Sequence, residues 1–345
     1  MKVQMTMIPK KSLFGWMHKM KNNTKKKNIL ITGSAGFIGM NLIKSLCEEK
    51  DSEEKYNIAG IDNFVGINFD MKTERSGYLF NKDYKNIFFE DMDIKNINQM
   101  KNLFSNEKFD IVVNLAALTG VRKSLKNPFE YIENNIIGFH NIINLSKEYN
   151  IKHFIYASSS SIYGMIANES EDKPCSLYAA TKKSNELIAH SYAHNYDLNT
   201  TGLRFFTVYG PFGRPDMAPW IFTEKINNDE KISVYNDGEM FRDFTYIDDI
   251  ISGIKKIINN KPRTKYNIYD IGNNNTIKIT TLIKTIEKIL NKKAKINFEE
   301  MQPGDVLVTM SNIKPLKDDF NYSPKTDIES GMKKFIDWFQ NGKNN

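Results

Sequence analysis

The 345 residues carry 48 basic and 41 acidic side chains, a formal charge of +7, and 40% hydrophobic residues. That is enough apolar material for one large or two modest domains, and no run approaches the roughly 18 apolar residues of a membrane span. The charge excess does not mark a nucleic-acid surface, because residues 1–27 hold eight Lys and no acid and the rest of the chain has a net charge of −1.

Residues 1–27 read as a basic, disordered extension. Their apolar part, Leu13, Phe14 and Trp16 among lysines, is too short for a signal peptide and lacks a small-residue cleavage site. A solvated tail and a weak contact with an anionic membrane surface are the two readings of it. Cys47 and Cys175 are too few and too scattered for a disulfide framework or a zinc site. No metal site is expected, and the cytoplasm is the natural compartment.

Residues 28–32 form an apolar strand that runs into Gly33-Ser34-Ala35-Gly36-Phe37-Ile38-Gly39, with a helix over 40–49 behind it. Glycines so placed allow a tight turn and close backbone approach, and the helix N-terminus offers N–H groups to a pyrophosphate. The second strand, 57–61, ends in Asp62, 23 residues past Gly39. A carboxylate there accepts from a ribose 2′-hydroxyl and repels a 2′-phosphate, which selects NAD over NADP. Residues 63–85 read as an irregular polar insertion. A third strand spans 86–90 and releases Asp93 and Ile94; a fourth spans 110–115 and leads to Ala116 and Ala117, small enough for a cofactor to lie close. A helix is expected over 127–150, with Asn134 facing the site.

The fifth strand, 151–156, opens into Ala157-Ser158-Ser159-Ser160-Ser161-Ile162-Tyr163-Gly164, and a helix covers 179–194. Tyr178 and Lys182, four apart at its start, share a face. Tyr-x-x-x-Lys occurs twice, at Tyr78/Lys82 and Tyr178/Lys182. Chance gives about as many, so the spacing alone decides nothing. Tyr78 lacks a preceding strand and serine loop and reads as a surface residue, whereas Tyr178 has both. A phenol ionises near pH 10, and bringing it to about 7 takes roughly 4 kcal/mol. A neighbouring ammonium supplies part of that, and a cationic nicotinamide ring can supply much of the rest. Ser159 is placed to hydrogen-bond the same substrate oxygen.

A sixth strand spans 200–206. Beyond it residues 209–216 are turn-rich, a helix is expected over 248–259, a last strand over 265–271, and helices over 280–290 and 328–339 around the loop 301–306. Strands alternating with helices predict an α/β chain with a doubly wound parallel (Rossmann) sheet, residues 28–205 with a return segment at about 236–272. Residues 206–345 are expected to form mainly a smaller, discontinuous substrate domain rather than a second sheet core.

These stretches together resemble the extended short-chain dehydrogenase/reductase family of nucleotide-sugar epimerases. Ile31 to Gly39, Ala157 to Gly164, Leu177 to Lys182, Arg204-Phe205-Phe206-Thr207-Val208-Tyr209-Gly210-Pro211, Arg214 to Ala218, Arg242 to Asp249 and Met301 to Val306 match in order, and within the group the match to UDP-glucuronate 4-epimerases is close. The resemblance implies a cycle in which Tyr178 takes the proton of the sugar 4-hydroxyl, Ser159 hydrogen-bonds that oxygen and Lys182 lowers the phenol pKa. Hydride passes from C4 to NAD and returns to the other face of a 4-keto sugar. It also implies an NAD-contacting set of Gly33, Gly36, Phe37, Ile38, Gly39, Asp62, Asn63, Asp93, Ile94, Leu115, Ala116, Ala117, Asn134 and Phe205, with Tyr178 and Lys182 touching the same cofactor. Arg242 and Asp305 fall to the nucleotide part, and Thr207 and Arg214 to the sugar end, where Arg122 is a further candidate; Tyr235 is a further substrate-binding residue. A homodimer through the helices over 127–150 and 177–195 is implied as well, with a nucleotide sugar as the ligand.

Competing readings are a 4-epimerase of a UDP-hexose, a UDP-N-acetylhexosamine or CDP-glucuronate, a 4,6-dehydratase, a UDP-glucuronate decarboxylase, and a silent NAD-binding protein. The related decarboxylases carry a Glu two residues before the Tyr-Gly of the serine loop, and the dehydratases an Asp-Glu pair. Here Ser160 and Ser161 stand in those positions, and neither hydroxyl is a useful acid or base near pH 7. They either hydrogen-bond a sugar carboxylate or satisfy the loop backbone.

Overall fold

A computed structural model describes residues 26–65, 69–82, 84–164, 173–301 and 306–341. Residues 1–25 of the basic tail and Asp305 therefore lie outside the described residues. The strands are β1 (Lys27–Thr32), β2 (Tyr56–Asp62), β3 (Ile87–Asp91), β4 (Ile111–Asn114), β5 (His153–Ser159), β6 (Thr200–Phe205), β7 (Thr207–Tyr209), β8 (Lys231–Tyr235), β9 (Phe241–Tyr246), β10 (Tyr266–Ile271), β11 (Thr276–Lys278) and β12 (Lys295–Glu299).

β1 is apolar without alternation, and Ile29, Leu30 and Ile31 are fully buried, as a strand covered on both faces requires. Around it a seven-stranded parallel sheet runs in the order β10-β6-β5-β4-β1-β2-β3. Thr32 at the end of β1 stands opposite Ile61 of β2 and Asn114 of β4. The chain winds in opposite directions from that point, which opens a crevice at the carboxyl ends of the strands. One face is covered by the helices Phe37–Cys47 and Ile247–Asn259, through Met40, Leu42, Ile43, Ile250, Ile254 and Ile257. The other is covered by Ile97–Asn106, Phe139–Glu148 and Leu177–Tyr196, through Met100, Leu103, Phe139, Ile142 and Ala189.

Three sequence expectations are corrected. Residues 63–85 are not irregular throughout, since Phe69–Asn81 is a helix. Met71, Arg75, Tyr78 and Leu79 share one of its faces, and Arg75 and Leu79 are only 2% exposed. Tyr78 is half-buried rather than free on the surface: its ring packs edge-on against Phe212 at 5.2 Å. The helix over 127–150 is interrupted, with Pro128 opening a short helix, Pro128–Ile132, and a π-helical turn at Glu133–Gly138 leading into Phe139–Glu148. A Cβ on Gly138 would lie 2.6 Å from the Ile94 side chain, so this turn packs closely and a larger residue would require Ile94 to shift.

The third correction concerns the C-terminal part, which has sheet structure of its own. β11, β9 and β7 form a three-stranded sheet and β12 pairs with β8, so β10 is not the last strand. Behind them Trp220, Phe335, Trp338 and Phe339 form an aromatic cluster that Phe212 joins, 4.9 Å from Trp338. This cluster anchors the turn after β7 to the final helix, Ile328–Asn341. No helix of the described residues is long and apolar enough to cross a membrane.

Candidate active site

The crevice holds a cavity of about 400 Å³, within the range of small-molecule sites. Its β1–β2 side is the glycine turn. Gly33 has φ +69°, and a Cβ there would lie 2.7 Å from the Ala116 backbone nitrogen. A Cβ on Gly39 would collide with the Gly33 carbonyl. β1, β4 and the following helix thus meet at distances that side chains forbid. Gly36 caps that helix without a side-chain bond, and Phe37, Ile38 and Gly39 line the cavity with it. Thr32 Oγ1 donates to Asn114 Oδ1 at 2.6 Å and accepts from Ala116 N at 3.1 Å, tying the two strand ends together.

Asp62 ends β2 and is 4% exposed. Its Oδ1 accepts from Lys72 Nζ at 2.7 Å and Phe64 N at 2.9 Å, and its Oδ2 from Ala35 N at 3.1 Å. Asn63, Ile94, Leu115, Ala116, Ala117, Asn134 and Phe205 line the same cavity. Asp93 does not; it sits behind Asn63 and accepts from that amide at 3.2 Å. These residues fit a dinucleotide: the glycines leave a cradle that a Cβ would fill, and Oδ2 of Asp62 accepts one bond among the described residues, leaving room for a ribose hydroxyl.

The β5–β6 side brings Ser159, Ser160, Ser161, Tyr178, Lys182, Thr207 and Arg214 to the cavity wall. Ser176 starts the tyrosine helix by accepting from Ala179 N at 3.1 Å, which fixes Tyr178 in the first turn. Ser159 closes β5, accepts from Ser161 N at 3.2 Å and donates to Ser161 Oγ at 3.1 Å. Burial pushes the Tyr178 phenol up, while a hydrogen bond from Ser159 and the charge of Arg214 pull it down; the net direction is up. Lys182 is 3% exposed and donates to Ala157 O at 2.8 Å. Its ammonium lies 6.0 Å from the Tyr178 ring centre, and burial lowers its pKa to about 8. In this structure Ser159 and Arg214, rather than Lys182, are the groups that favour the phenolate.

Arg214 is held by Asp216 through both arms of its fork, Nε to Oδ1 at 3.0 Å and Nη2 to Oδ2 at 2.7 Å. Burial opposes its charge and Asp216 restores it, so the net pKa shift is upward. Arg122, Tyr235 and Arg242 are not part of the cavity wall. Arg122 stacks over Tyr235, 5.5 Å from the ring centre, bringing the segment after β4 against the end of β8. Arg242 donates to the carbonyls of Phe241 at 2.9 Å and Leu307 at 3.2 Å.

Sequence reasoning missed three groups. Asn135, next to the expected Asn134, is 1% exposed and accepts from Leu118 N at 2.8 Å while donating to Leu118 O at 3.0 Å and Thr181 Oγ1 at 3.1 Å. It locks the loop after β4 to the tyrosine helix. Lys72 and Arg75 also border the cavity, and the helical spacing of Met71, Arg75, Tyr78 and Leu79 is the signal that would have found them. Behind the wall, Glu186 accepts from Ser158 Oγ at 2.6 Å and from Arg204 Nε at 2.9 Å and Nη2 at 2.8 Å. Arg204 Nη1 donates to Tyr163 OH at 2.8 Å, and Tyr163 donates to Asp270 Oδ1 at 2.6 Å. Among the described residues no group of side chains is arranged to hold a metal ion.

Residues 29–272 match the model of the NAD dependent epimerase/dehydratase family. Protein CapI of Staphylococcus aureus is 44% identical over 336 residues, 90% of this chain and 98% of that protein. The crystal structure of UDP-glucuronic acid 4-epimerase from Bacillus cereus in complex with UDP-glucuronic acid and NAD is similar at 33% identity with a TM-score of 0.83, covering 91% of this chain and 99% of that one. UDP-glucose 4-epimerase of Thermotoga maritima, solved with UDP-glucose, is similar at 27% identity with a TM-score of 0.82, covering 92% and 99%.

The network around Glu186 generates a stability prediction. Glu186 is 1% exposed and its ion-pair partner Arg204 14%. Removing one member of such a pair leaves a buried charge without its partner, which costs about 3–5 kcal/mol. Glu186→Ala is expected to lower the unfolding free energy by that amount in urea titrations. A loss below about 1 kcal/mol would show that the pair is hydrated and not structural.

Proposed function

The chain belongs to the NAD-dependent epimerase/dehydratase family, and we propose that it interconverts UDP-glucuronate and UDP-galacturonate at C4 of the sugar. It is an NAD-dependent isomerase. The observation that carries the substrate is that Arg214 lines the same cavity as Ser159 and Tyr178. A guanidinium in one wall with the proposed base suits a sugar whose carboxylate is attached to the carbon next to the reacting one. When bound, NAD would supply the hydride acceptor and donor for C4. Gly33, Gly36, Gly39 and Asp62 would hold its pyrophosphate and ribose.

Tyr178 takes the 4-hydroxyl proton and gives it back after the sugar has turned over. Ser159 turns its one O–H from Ser161 Oγ to the same sugar oxygen. Lys182, anchored on Ala157 O, keeps an ammonium at the base of the phenol. Ser160, Ser161 and Thr207 offer hydroxyls to the carboxylate, and Arg214 its unused N–H groups. Arg242, outside the cavity wall, is assigned to the nucleotide, with Asp305; Arg122, stacked on Tyr235 outside that wall, is not proposed for the sugar carboxylate. The cytoplasm is the proposed compartment.

A second reading, epimerisation of a neutral UDP-hexose, draws on one observation: Asp216 already occupies both arms of Arg214. If that pair stays closed, the cation is neutralised and no carboxylate is needed. Turnover of the two substrates separates the readings. UDP-glucuronate is expected to have at least tenfold higher kcat/KM than UDP-glucose, about 1.4 kcal/mol of discrimination. Equal values would move the chain to the hexose enzymes. The same incubation, followed by NMR, should reach a constant ratio of glucuronate to galacturonate with no CO₂. Stoichiometric release of CO₂ would instead make the enzyme a decarboxylase and remove the role given to Ser160 and Ser161.

The balance on Tyr178 predicts a pH effect with a definite sign. Ser159 lowers the phenol pKa, so Ser159→Ala should move the rising limb of the kcat/KM profile to higher pH. Tyr178→Phe should lose about 10²–10⁴-fold in turnover while keeping bound NAD. An unshifted Ser159→Ala profile would mean that another group titrates.

A homodimer is proposed through the helices Pro128–Ile132, Phe139–Glu148 and Leu177–Tyr196. Leu125, Phe129, Ile132 and Leu187 support it, being 60%, 83%, 40% and 62% exposed on this side of the molecule. Light scattering should give twice the chain mass, and the monomer mass for Phe129→Asp combined with Leu187→Asp. A monomeric parent protein would refute the interface.

A further inference from the structure

Arg75 is 2% exposed, and among the described residues no carboxylate forms an ion pair with it. A buried guanidinium without a counter-ion is costly, so its neighbours must repay it with hydrogen bonds. They are all main-chain carbonyls. Nε and Nη2 donate to Phe212 O at 3.1 and 2.7 Å, Nη2 also to Gly213 O at 3.1 Å, and Nη1 to Ala35 O at 3.2 Å. Ala35 belongs to the glycine turn. Phe212 and Gly213 immediately precede Arg214. One side chain from the helix Phe69–Asn81 therefore bridges the dinucleotide end of the cavity and the segment that carries the sugar-end arginine, and Arg75 itself lines the wall between them.

The bridged segment is not a relaxed turn. Phe212 has φ +61°, a region bulky residues rarely occupy. Gly210 has φ +141°, and Gly213 approaches the Gly210 carbonyl so closely that a Cβ would lie 2.8 Å from it. Two contacts hold Phe212 in place: its ring packs between Tyr78 and Trp338, at 5.2 and 4.9 Å, and its carbonyl takes both arms of Arg75. The other end of the bridge is equally fixed, because Ala35 N donates to Asp62 Oδ2 at 3.1 Å. A continuous path of short contacts thus runs from Asp62 through Ala35, Arg75 and Phe212 to Arg214 and Asp216.

We propose that Arg75 is a positioning residue that makes the placement of Arg214 depend on an ordered glycine turn, so that a dinucleotide bound on that turn prepares the sugar end for an anionic sugar. The proposal rests on the role given above to Arg214. Its physical basis is linkage: a group that orders Ala35 and its neighbours stabilises the Arg75 fork, and the fork stabilises the left-handed turn that aims Arg214. By reciprocity an anionic sugar on Arg214 tightens the dinucleotide.

Two measurements test it. In the unaltered protein, stripped of NAD and then resupplied, amide hydrogen exchange across residues 210–214 should slow on NAD addition. Unchanged exchange there overturns the coupling, whatever the sugar proves to be. In the second, Arg75→Lys keeps a cation but loses the planar fork. UDP affinity should stay within about twofold, UDP-glucuronate should bind roughly tenfold more weakly, and less NAD should remain after desalting. In an Arg214→Gln background the same change should cost UDP-glucuronate no further affinity. Additive losses in the double variant, or wild-type uronate affinity and NAD retention in Arg75→Lys, overturn the proposal. A parent protein that binds UDP-glucuronate no better than UDP would fault the reading of Arg214, and the exchange measurement still decides the clamp.

Discussion

The ion pair of Glu186 with Arg204 is the contact on which the reacting end of this molecule depends. A parallel sheet delivers its strand ends to one edge but does not fix the side chains there, because the strands twist apart as they leave the ladder. Here β5 ends in the serines, β6 ends beside Arg204, β10 ends beside Asp270, and the tyrosine helix runs across them. Glu186 gathers Ser158 and Arg204, and Arg204 passes the constraint to Tyr163 and Asp270. Asp270 in turn accepts from Asn312 N at 2.9 Å, which brings the C-terminal segment into the same network. Each charge is acceptable inside only because its partner is there. That mutual requirement sets the serine loop and the helix carrying Tyr178 in a single arrangement.

Where chemistry is local, the sequence is readable. The strand, glycine turn and helix around Gly33 to Gly39 occupy consecutive residues, so close packing and anion binding show as a spacing. The parallel sheet follows from the alternation of apolar strands with helices, and its order carries the serine loop to the edge where the cavity opens. The serine loop stood out from the chance Tyr78/Lys82 pair for the same reason: a strand precedes it. What could not be read depends on partners far along the chain. Arg75 bonds to carbonyls 137 and 138 residues away, and a main-chain acceptor leaves no mark on composition. The short strands β7, β11 and β12 pair only because the C-terminal segments fold back on β8 and β9. Asn134 and Asn135 differ by one position, and a π-helical turn decides which faces the cavity and which the tyrosine helix.

Arg214 shows how a site can hold a charge ready without wasting it. Unpaired, a guanidinium at the cavity wall would bear the full cost of partial burial. Paired with Asp216 it is satisfied, yet the bond is a side-chain fork that an arriving carboxylate can share, since the guanidinium has five N–H groups and Asp216 uses two of them. On the proposed reading the pair is a resting state as well as a restraint on direction. Its neighbour in charge is Arg75, which Arg214 repels and which adds positive potential to the cavity, where both a pyrophosphate and a uronate would be anionic.

The ionisation of Tyr178 brings these constraints to one atom. Burial raises the phenol and lowers Lys182 to about 8, so the same dry environment disfavours both charges taken singly. Moving a phenol from about 10 to about 7 takes roughly 4 kcal/mol, more than one hydrogen bond to a charged group supplies. Ser159 contributes one such bond and Arg214 a longer-range attraction. The remainder must come from positive charge that enters with the ligands, and the cavity, bounded by Lys182 on one side and Arg214 on the other, concentrates its effect on the phenol oxygen. If Tyr178 is the base, as proposed, it becomes competent only in the filled site and does not abstract protons in the empty one.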